Sequence, residues 1–240
     1  WIIGAVEAVL VGYCLLGGGK RVIKATSTLV PLMGVIYISV AFILTIMHIN
    51  LVPGVVGRIF AEAFDFTAIF GGFAGSCMMF GIKRGLYSNE AGVGSAPNAA
   101  AAADVSHPVK QGLVQMLSVF IDTLLICTAT AFMCLSSGIE PTKELAGAPY
   151  VQAALAASMG DYAKLFITVS MVLFAFTTLL GNLYYVDNAF AYVLKHVPGK
   201  TFTLCYRILA CVLIFIGAGS SMGTMWDLAD VTMGFMAIIN

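Results

Sequence analysis

The stretch RIFAEAFDFTAIFGGFAGSCMMFGIKRG, from Arg58 to Gly85, decides the fold. It is apolar over the length that a helix needs to cross roughly 30 Å of hydrocarbon. Gly71 and Gly72 stand near its centre, where a glycine weakens a helix by roughly 1 kcal/mol relative to alanine. The pair favours unwinding at the midplane, which frees backbone N–H and C=O groups for a ligand. Close helix packing is the alternative, because Gly71 and Gly75 have the GxxxG spacing.

The composition of the whole chain predicts an integral membrane protein. Of its 240 residues, 60% are hydrophobic and only 10% are charged, whereas soluble domains carry roughly a quarter charged residues. The apolar runs are too long for the strands of a β-barrel, so we expect an all-α transmembrane bundle forming a single membrane domain over residues 1–240. The first residue is Trp1, which suggests an internal piece of a longer protein. Seven spans are predicted, at about 1–17, 29–48, 59–82, 111–136, 163–185, 205–219 and 226–240.

Basic residues give the expected orientation. Nine of the twelve lysines and arginines fall in or beside alternate connections between the spans. Because cytoplasmic loops carry an excess of Lys and Arg, we expect the loops around 18–28, 83–110 and 186–204 to be cytoplasmic and the protein to lie in the plasma membrane. The net charge is zero, so nothing indicates a nucleic-acid partner. The nine residues are Lys20, Arg21, Lys24, Lys83, Arg84, Lys110, Lys195, Lys200 and Arg207.

An acidic side chain stands inside the fourth span. Asp122 shares a helical face with Ser118 and Thr130, and Thr123 lies beside it. Ionisable groups within a span are costly unless they face the bundle interior or a water path. Three roles stay open for Asp122: a proton relay, a cation ligand, or a structural hydrogen-bond acceptor. Glu7, in the first span, is a similar case with less context.

The fifth span carries polar residues at helical spacing. Ser170, Thr177, Thr178, Gly181 and Tyr185 predict a single polar stripe. Adjacent threonine hydroxyls are hard oxygen donors that suit a monovalent cation when backbone carbonyls join them. The alternative is that each hydroxyl bonds to the carbonyl one turn earlier in its own helix.

Motifs for enzyme chemistry are missing from the sequence. GVGSAP, at 92–97, has no phosphate-loop lysine and no preceding strand. The three histidines lie in or near separate loops, and the six cysteines lack metal-ligand spacing, so they are interpreted as small buried hydrophobic residues. We therefore expect no enzyme activity, no catalytic residues and no metal other than a transported ion.

Four motifs together resemble one known family. They are GGFAG (71–75), RGLYSNEAGVGSAP (84–97), HPVKQGLVQMLSVFIDTLLICTATA (107–131) and LFAFTTLLGNLYY (173–185). They are similar to the alanine or glycine:cation symporters, also called sodium:alanine symporters. The resemblance implies a leucine-transporter-type fold of two inverted five-helix repeats, in which the seven spans match helices four to ten. It also implies sodium-driven uptake of alanine or glycine by alternating access.

The resemblance carries site roles onto residues of this chain. Thr177 and Thr178 would bind sodium, the coupling ion, from helix eight. The chain departs from the family at Asn182, where a tryptophan is common, and at Asn98 and Ala100. These departures leave the preferred substrate open. The substrate would lie against Gly71, Gly72, Phe73 and Gly75 of the broken helix six and against Thr178 and Asn182 of helix eight.

The polar connection at 84–103 is interpreted as part of an inner gate. Asn89 and Glu90 are its candidate gate residues, and Ser95 is expected to begin a short helix through the alanines. Two other functions stay open. One is a proton-coupled or other-substrate transporter of the same fold, and the other is a membrane scaffold subunit that transports nothing.

Overall fold

The structure is a computed structural model, and every regular element that it describes is helical. It describes residues 1–63, 72–140, 142 and 145–240, with the backbone alone at 62, 72–78 and 80. A 3₁₀ turn, Ile49–Leu51, and a π-helix, Ile121–Cys127, interrupt the α-helices. The α-helices are α1 (Ile2–Leu16), α2 (Gly19–Met47), α3 (Val52–Ala63), α4 (Gly72–Asn89), α5 (Ala96–Ala101), α6 (Pro108–Phe120), α7 (Thr128–Leu135), α8 (Ala148–Met159), α9 (Asp161–Leu194), α10 (Lys200–Ala218) and α11 (Met222–Ile239).

Four helical stretches in the described part are long and apolar enough to cross a membrane. They are α2, the continuous run Pro108–Leu135, α9 and α10. They confirm four of the predicted spans by length and composition. The first predicted span forms the 15-residue α1, which is shorter than a typical crossing. The last forms α11, and the centre of the third lies outside the described residues.

The predicted cytoplasmic loops are wrong in their extent. Residues 19–28 belong to α2, 83–89 to α4, and 186–194 to α9. Lysine, arginine and alanine are good helix formers, so these helices continue beyond the apolar runs from which the spans were predicted. Pro31 lies inside α2 without ending it, as membrane helices tolerate.

The described chain forms two compact units. The first contains residues 1–33, 92–111 and 171–240, and the second contains 34–91 and 112–170. The expectation of one membrane domain stays a prediction. In the first unit α1 packs along α10, and a buried apolar cluster joins α1, the start of α2 and the middle of α9: Val11, Cys14, Leu15, Val22, Phe176 and Leu180.

A polar junction ties three helices of this first unit. Arg207, on α10, donates one hydrogen bond to the Leu15 carbonyl at 2.6 Å and another to Asp187 Oδ2, on α9, at 2.9 Å. The side chains of Arg207 and Asp187 are 15% and 27% exposed. Because a guanidinium offers several donors in a fixed plane, one residue can hold the ends of α1 and α9 against α10.

The close approach of α1 and α10 depends on a glycine, which gives a first prediction. A Cβ on Gly4 would overlap the Cβ of Ala218. We expect Gly4→Ala to lower the stability of the full-length protein by about 1–3 kcal/mol, as overpacking does, measured by thermal unfolding in detergent. Gly234→Ala, on α11, is the matched control, because a Cβ there meets nothing within 4 Å. An unchanged Gly4→Ala variant would contradict this packing.

Hydrogen bonds between helices organise the second unit. Tyr37, on α2, bonds through its hydroxyl to Thr130 Oγ1, on α7, at 2.9 Å. Gln152, on α8, donates to Thr168 Oγ1, on α9, at 2.9 Å. The first contact holds α7, the helix that directly follows the π-helix, against α2, and the second holds α8 against the start of α9.

Candidate functional site

The middle of the fourth span is a π-helix. Ile121–Cys127 follows α6 and precedes α7 without a break. Its wider turn brings residues five apart into register, and Thr128 Oγ1 accordingly donates to the Thr123 carbonyl at 3.5 Å. Asp122 and Thr123 lie at its start. Because π-helical turns inside α-helices occur frequently at functional sites, this local geometry marks the pair that the sequence singled out.

Two successive residues of α4 bond to two successive residues of the π-helix. Ser88 Oγ donates to Asp122 Oδ2 at 2.6 Å, and Asn89 Nδ2 donates to Thr123 Oγ1 at 3.3 Å. The first distance is typical of a hydroxyl donating to a carboxylate, the stronger class of hydrogen bond. We call these four residues the α4–π clasp. Ser88 Oγ also lies 3.3 Å from Cys127 Sγ, one π-turn beyond Asp122.

The chain turns immediately after the clasp. The Glu90 N–H bonds to the Leu86 carbonyl at 3.1 Å, and Glu90 has a φ of 54°. This is the left-handed ending of a helix, a position that glycine usually occupies. Asn89 Oδ1 accepts a hydrogen bond from the Ala91 N–H at 2.9 Å, which closes an Asx turn. One asparagine therefore shapes the turn and, through its amide nitrogen, bonds to the π-helix.

The left-handed backbone at Glu90 gives a second prediction. We expect Glu90→Gly to stabilise the full-length protein by about 1 kcal/mol relative to Glu90→Ala, because glycine adopts this conformation without the penalty of a Cβ. Thermal unfolding of the two variants gives the difference. Both remove the carboxylate, so a loss of transport that they share reports on the side chain alone. Equal stability would show that the turn is not left-handed in solution.

The next part of this connection is held within the first unit. Asn240 Nδ2 donates to the Gly92 carbonyl at 3.1 Å, and Asn188 Nδ2, on α9, donates to the Asn98 carbonyl at 3.2 Å. Asn98 therefore takes part in the contact with Asn188 through its backbone carbonyl. The short helix α5 begins after Ser95 as expected, although the Ser95 side chain forms no capping bond. The boundary between the two units falls between Ala91 and Gly92, so the connection passes from one unit to the other.

The threonine pair on α9 does not form one stripe. Thr177 is 7% exposed, and its hydroxyl donates to the carbonyls of Leu173 and Phe174 at 3.0 and 3.2 Å. Thr178 is exposed, and so is Asn182, one turn further along. Consecutive residues of a helix point about 100° apart, since 3.6 residues complete a turn. The prediction of a single polar face was therefore wrong for these two residues.

The structure describes the helix-six residues of the predicted substrate site only in part. Gly71 lies outside the described residues, and of Gly72, Phe73 and Gly75 only the backbone is described, at the beginning of α4. In the described part of the chain, no group of three or more His, Cys, Asp or Glu side chains is arranged to hold a metal ion. The sodium-binding and substrate-binding roles remain predictions.

Sequence reasoning missed Ser88 and the π-helix. Ser88 lies within RGLYSNEAGVGSAP, and nothing in the sequence distinguishes it from the other polar residues of that motif. Two adjacent polar residues in each of two neighbouring elements, Ser88-Asn89 and Asp122-Thr123, were the signal available in the sequence. Nothing in the spacing predicted a π-helix, because its period differs from an α-helix over only seven residues.

Comparison with known proteins decides the family. The model of the family described as "Sodium:alanine symporter family" matches residues 1–240 of this chain. The chain belongs to the sodium:alanine symporter family. Members of this family are transporters and not enzymes, which confirms the expectation from the missing motifs.

Three proteins of known name illustrate the similarity. The amino-acid carrier protein AlsT of Bacillus subtilis is 43% identical over 239 residues, which are 100% of this chain and 50% of AlsT. The sodium/alanine symporter AgcS of Methanococcus maripaludis is 39% identical, with 100% and 52% covered. The putative sodium/proton-dependent alanine carrier protein YrbD of Bacillus subtilis is 36% identical, with 100% and 52% covered. The chain spans about half the length of these curated relatives.

Proposed function

We propose that this chain is the helix-four-to-ten part of a sodium-coupled symporter for a small neutral amino acid, alanine or glycine. The observation that carries the proposal is the family match over every residue of the chain. Relatives bearing the names of amino-acid carriers and sodium/alanine symporters support the same substrate class. The protein would work in the plasma membrane with the start of α2, the last turns of α4 and the connection between α9 and α10 in the cytoplasm, as the distribution of lysine and arginine favours.

The substrate and sodium would meet between the broken helix six and α9. The predicted unwinding does not hold at Gly72, Phe73 and Gly75, which form the first turn of α4. They would instead offer the substrate the free backbone N–H groups of a helix start, together with Gly71, and Thr178 and Asn182 would face it from α9. Thr177 and Thr178 would offer hydroxyl oxygens to sodium. The Thr177 hydroxyl proton is directed at its own helix, which leaves its oxygen lone pairs available to a cation.

The α4–π clasp would act at the inner gate. It joins the last turn of α4 to the π-helix in the middle of the fourth span through a hydroxyl–carboxylate bond and an amide–hydroxyl bond. All four residues of the clasp lie within the second unit. Breaking and remaking the clasp would accompany the conformational change by which such carriers alternate access.

A proton-coupled cycle is the second candidate, favoured by the similarity to YrbD, which is named a putative sodium/proton-dependent alanine carrier protein. If Asp122 relays the proton, Asp122→Asn should remove the pH dependence of uptake. If Asp122 serves only as an acceptor for Ser88, Asn keeps an acceptor oxygen in place and the pH dependence persists.

Calorimetry on the full-length protein tests the proposed function and gives a third prediction. We expect alanine to bind in sodium and to bind at least about tenfold more weakly in choline, a difference of about 1.4 kcal/mol. Thr178→Val should raise the sodium concentration needed for half-maximal binding by a similar factor. Thr232→Val is the control, because Thr232 on α11 bonds to the carbonyls of Leu228 and Ala229 as Thr177 does to its own helix. A protein that binds no alanine in sodium would instead favour a scaffold.

A further inference from the structure

A buried carboxylate in α1 has no role in the function proposed above. Glu7 is 4% exposed. Its two oxygens, Oε1 and Oε2, are both buried, and neither has a hydrogen-bond partner among the residues that the structure describes. Buried polar atoms are nearly always hydrogen-bonded, so a carboxyl group that lacks any partner points to a ligand.

The surroundings of Glu7 are apolar. It lies on the buried face of α1 with Gly4, Val11, Cys14 and Leu15. Val11, one turn further along this face, belongs to the cluster that α9 joins with Phe176 and Leu180. An ionised carboxylate in such a place costs several kcal/mol when nothing pairs with it.

The charged and titratable groups of the neighbouring helices do not neutralise Glu7. On α10, Arg207 is engaged by the Leu15 carbonyl and by Asp187 of α9. Leu15 is eight residues from Glu7, a rise of about 12 Å along the helix. Arg21 of α2 donates to the Tyr13 carbonyl, at the same end of α1. The other charged residues of these helices lie at helix starts: Lys20 and Lys24 in the first turns of α2, Lys200 as the first residue of α10, and Asp161 and Lys164, which pair with each other, at the start of α9. The remaining titratable groups are thiols and phenols: Tyr13, Cys14, Tyr37, Tyr162, Tyr184, Tyr185, Tyr192, Cys205, Tyr206 and Cys211.

A proton fits this environment better than a metal cation does. Hard cations need several oxygen ligands, whereas the other residues on the buried face of α1 carry no side-chain oxygen. The one other buried polar side chain in the described part is Thr177, which donates to its own helix. A proton needs only one carboxyl oxygen and removes the charge that makes burial costly.

We propose that Glu7 is a proton-binding site of this carrier, protonated in the conformation described here and open to water in another. In the step itself, a carboxylate oxygen takes a proton from hydronium and forms an O–H bond, leaving water. On release, that bond breaks and the proton returns to water. This proposal rests on the proposed transport function in one respect: the transport cycle supplies the conformation in which Glu7 is open to water.

Infrared spectroscopy of the full-length protein in lipid tests the proposal without measuring transport. At neutral pH the wild-type protein should show a C=O band of a protonated carboxylic acid, and Glu7→Gln should lose it. Asp161→Asn is the control, since Asp161 is exposed and pairs with Lys164 at 3.0 Å, and it should keep the band. Glu7→Leu is a second variant that also lacks the acid, in case Gln destabilises the fold. A wild-type spectrum that neither variant changes would overturn the proposal.

A transport measurement then separates this proposal from the proposed function. Where the wild-type protein takes up alanine, changing the pH should alter the rate, and Glu7→Gln should lose that response while still requiring sodium. If the wild-type protein takes up no alanine, the proposed function fails, and the infrared result alone decides whether Glu7 holds a proton. If the pH response is the same in Glu7→Gln and in the wild-type protein, a proton site that exchanges during the cycle is excluded.

Discussion

Alanine accumulation by the full-length protein should fall roughly fifty-fold when external sodium is replaced by choline, in vesicles held at about 100 mV, inside negative. The magnitude follows from coupling to a single ion. One charge crossing 100 mV contributes about 2.3 kcal/mol, and every 1.4 kcal/mol or so changes a concentration ratio tenfold. A sodium concentration gradient would add to this driving force. The measurement is the steady-state ratio of internal to external labelled alanine.

Two controls make the sodium result specific. Potassium in place of choline tests whether any small cation suffices, with the membrane potential clamped by an ionophore. An acid-inside or acid-outside pH step in sodium-free buffer tests whether protons replace sodium. Accumulation that persists unchanged in choline or potassium contradicts sodium coupling, and accumulation driven by the pH step alone favours the proton-coupled alternative.

The second prediction of large effect is that alanine uptake falls when the hydrogen-bond acceptor of the α4–π clasp, the Asp122 carboxylate, is removed. Asp122→Ala leaves the Ser88 hydroxyl without its carboxylate partner at 2.6 Å. A hydrogen bond to a charged group contributes about 1.5–3 kcal/mol, which corresponds to a shift of about ten- to a hundredfold in an equilibrium that the bond controls. If the clasp acts at the inner gate as proposed, we expect the conformation in which the clasp is formed to become less populated by that factor and alanine uptake to fall.

Cys127 offers a reporter for the same change. Cys127 is exposed and its sulfur lies 3.3 Å from Ser88 Oγ, so loosening the clasp should change the rate at which a cytoplasmic thiol reagent modifies it. The measurement uses a protein in which Cys127 is the sole remaining cysteine. Ser118→Ala is the matched control, because Ser118 on α6 donates to the Gln115 carbonyl of its own helix. This variant should change neither uptake nor labelling.

A double-mutant cycle identifies the bond responsible. If the hydroxyl–carboxylate contact controls the gate, Ser88→Ala and Asp122→Ala should each shift the labelling rate, and the double variant should shift it little further. Fully additive effects would mean that the two residues act separately. Asp122→Asn, which retains an acceptor oxygen, should have the smallest effect of the Asp122 variants.

The fold was predictable wherever hydropathy alone decides it. The span at 111–136 became Pro108–Leu135, because an uninterrupted apolar run of that length favours a membrane helix. The helix ends were not predictable from hydropathy. Lys20 and Arg21 continue α2 outside the apolar run, since their helix propensity is high although their hydropathy is low.

The candidate site was predictable in its residue types but not in its pairing. Asp122 and Asn89 were singled out because polar groups are expensive in a span and turn-formers are frequent in a connection. Their meeting at the α4–π clasp depends on tertiary packing and on the π-helix, and neither leaves a period in the sequence. The threonine pair shows the same limit, because burial of Thr177 and exposure of Thr178 follow from which neighbours cover α9.

The most direct test of sodium symport is the influx of radioactive sodium into proteoliposomes that contain the full-length protein. Alanine and sodium bound in one cycle must cross together, so added alanine should stimulate sodium influx, in a fixed ratio to the alanine taken up. The stimulation should be lost in Thr178→Val at low sodium and retained in Thr232→Val. Alanine uptake without any alanine-stimulated sodium influx would contradict the account.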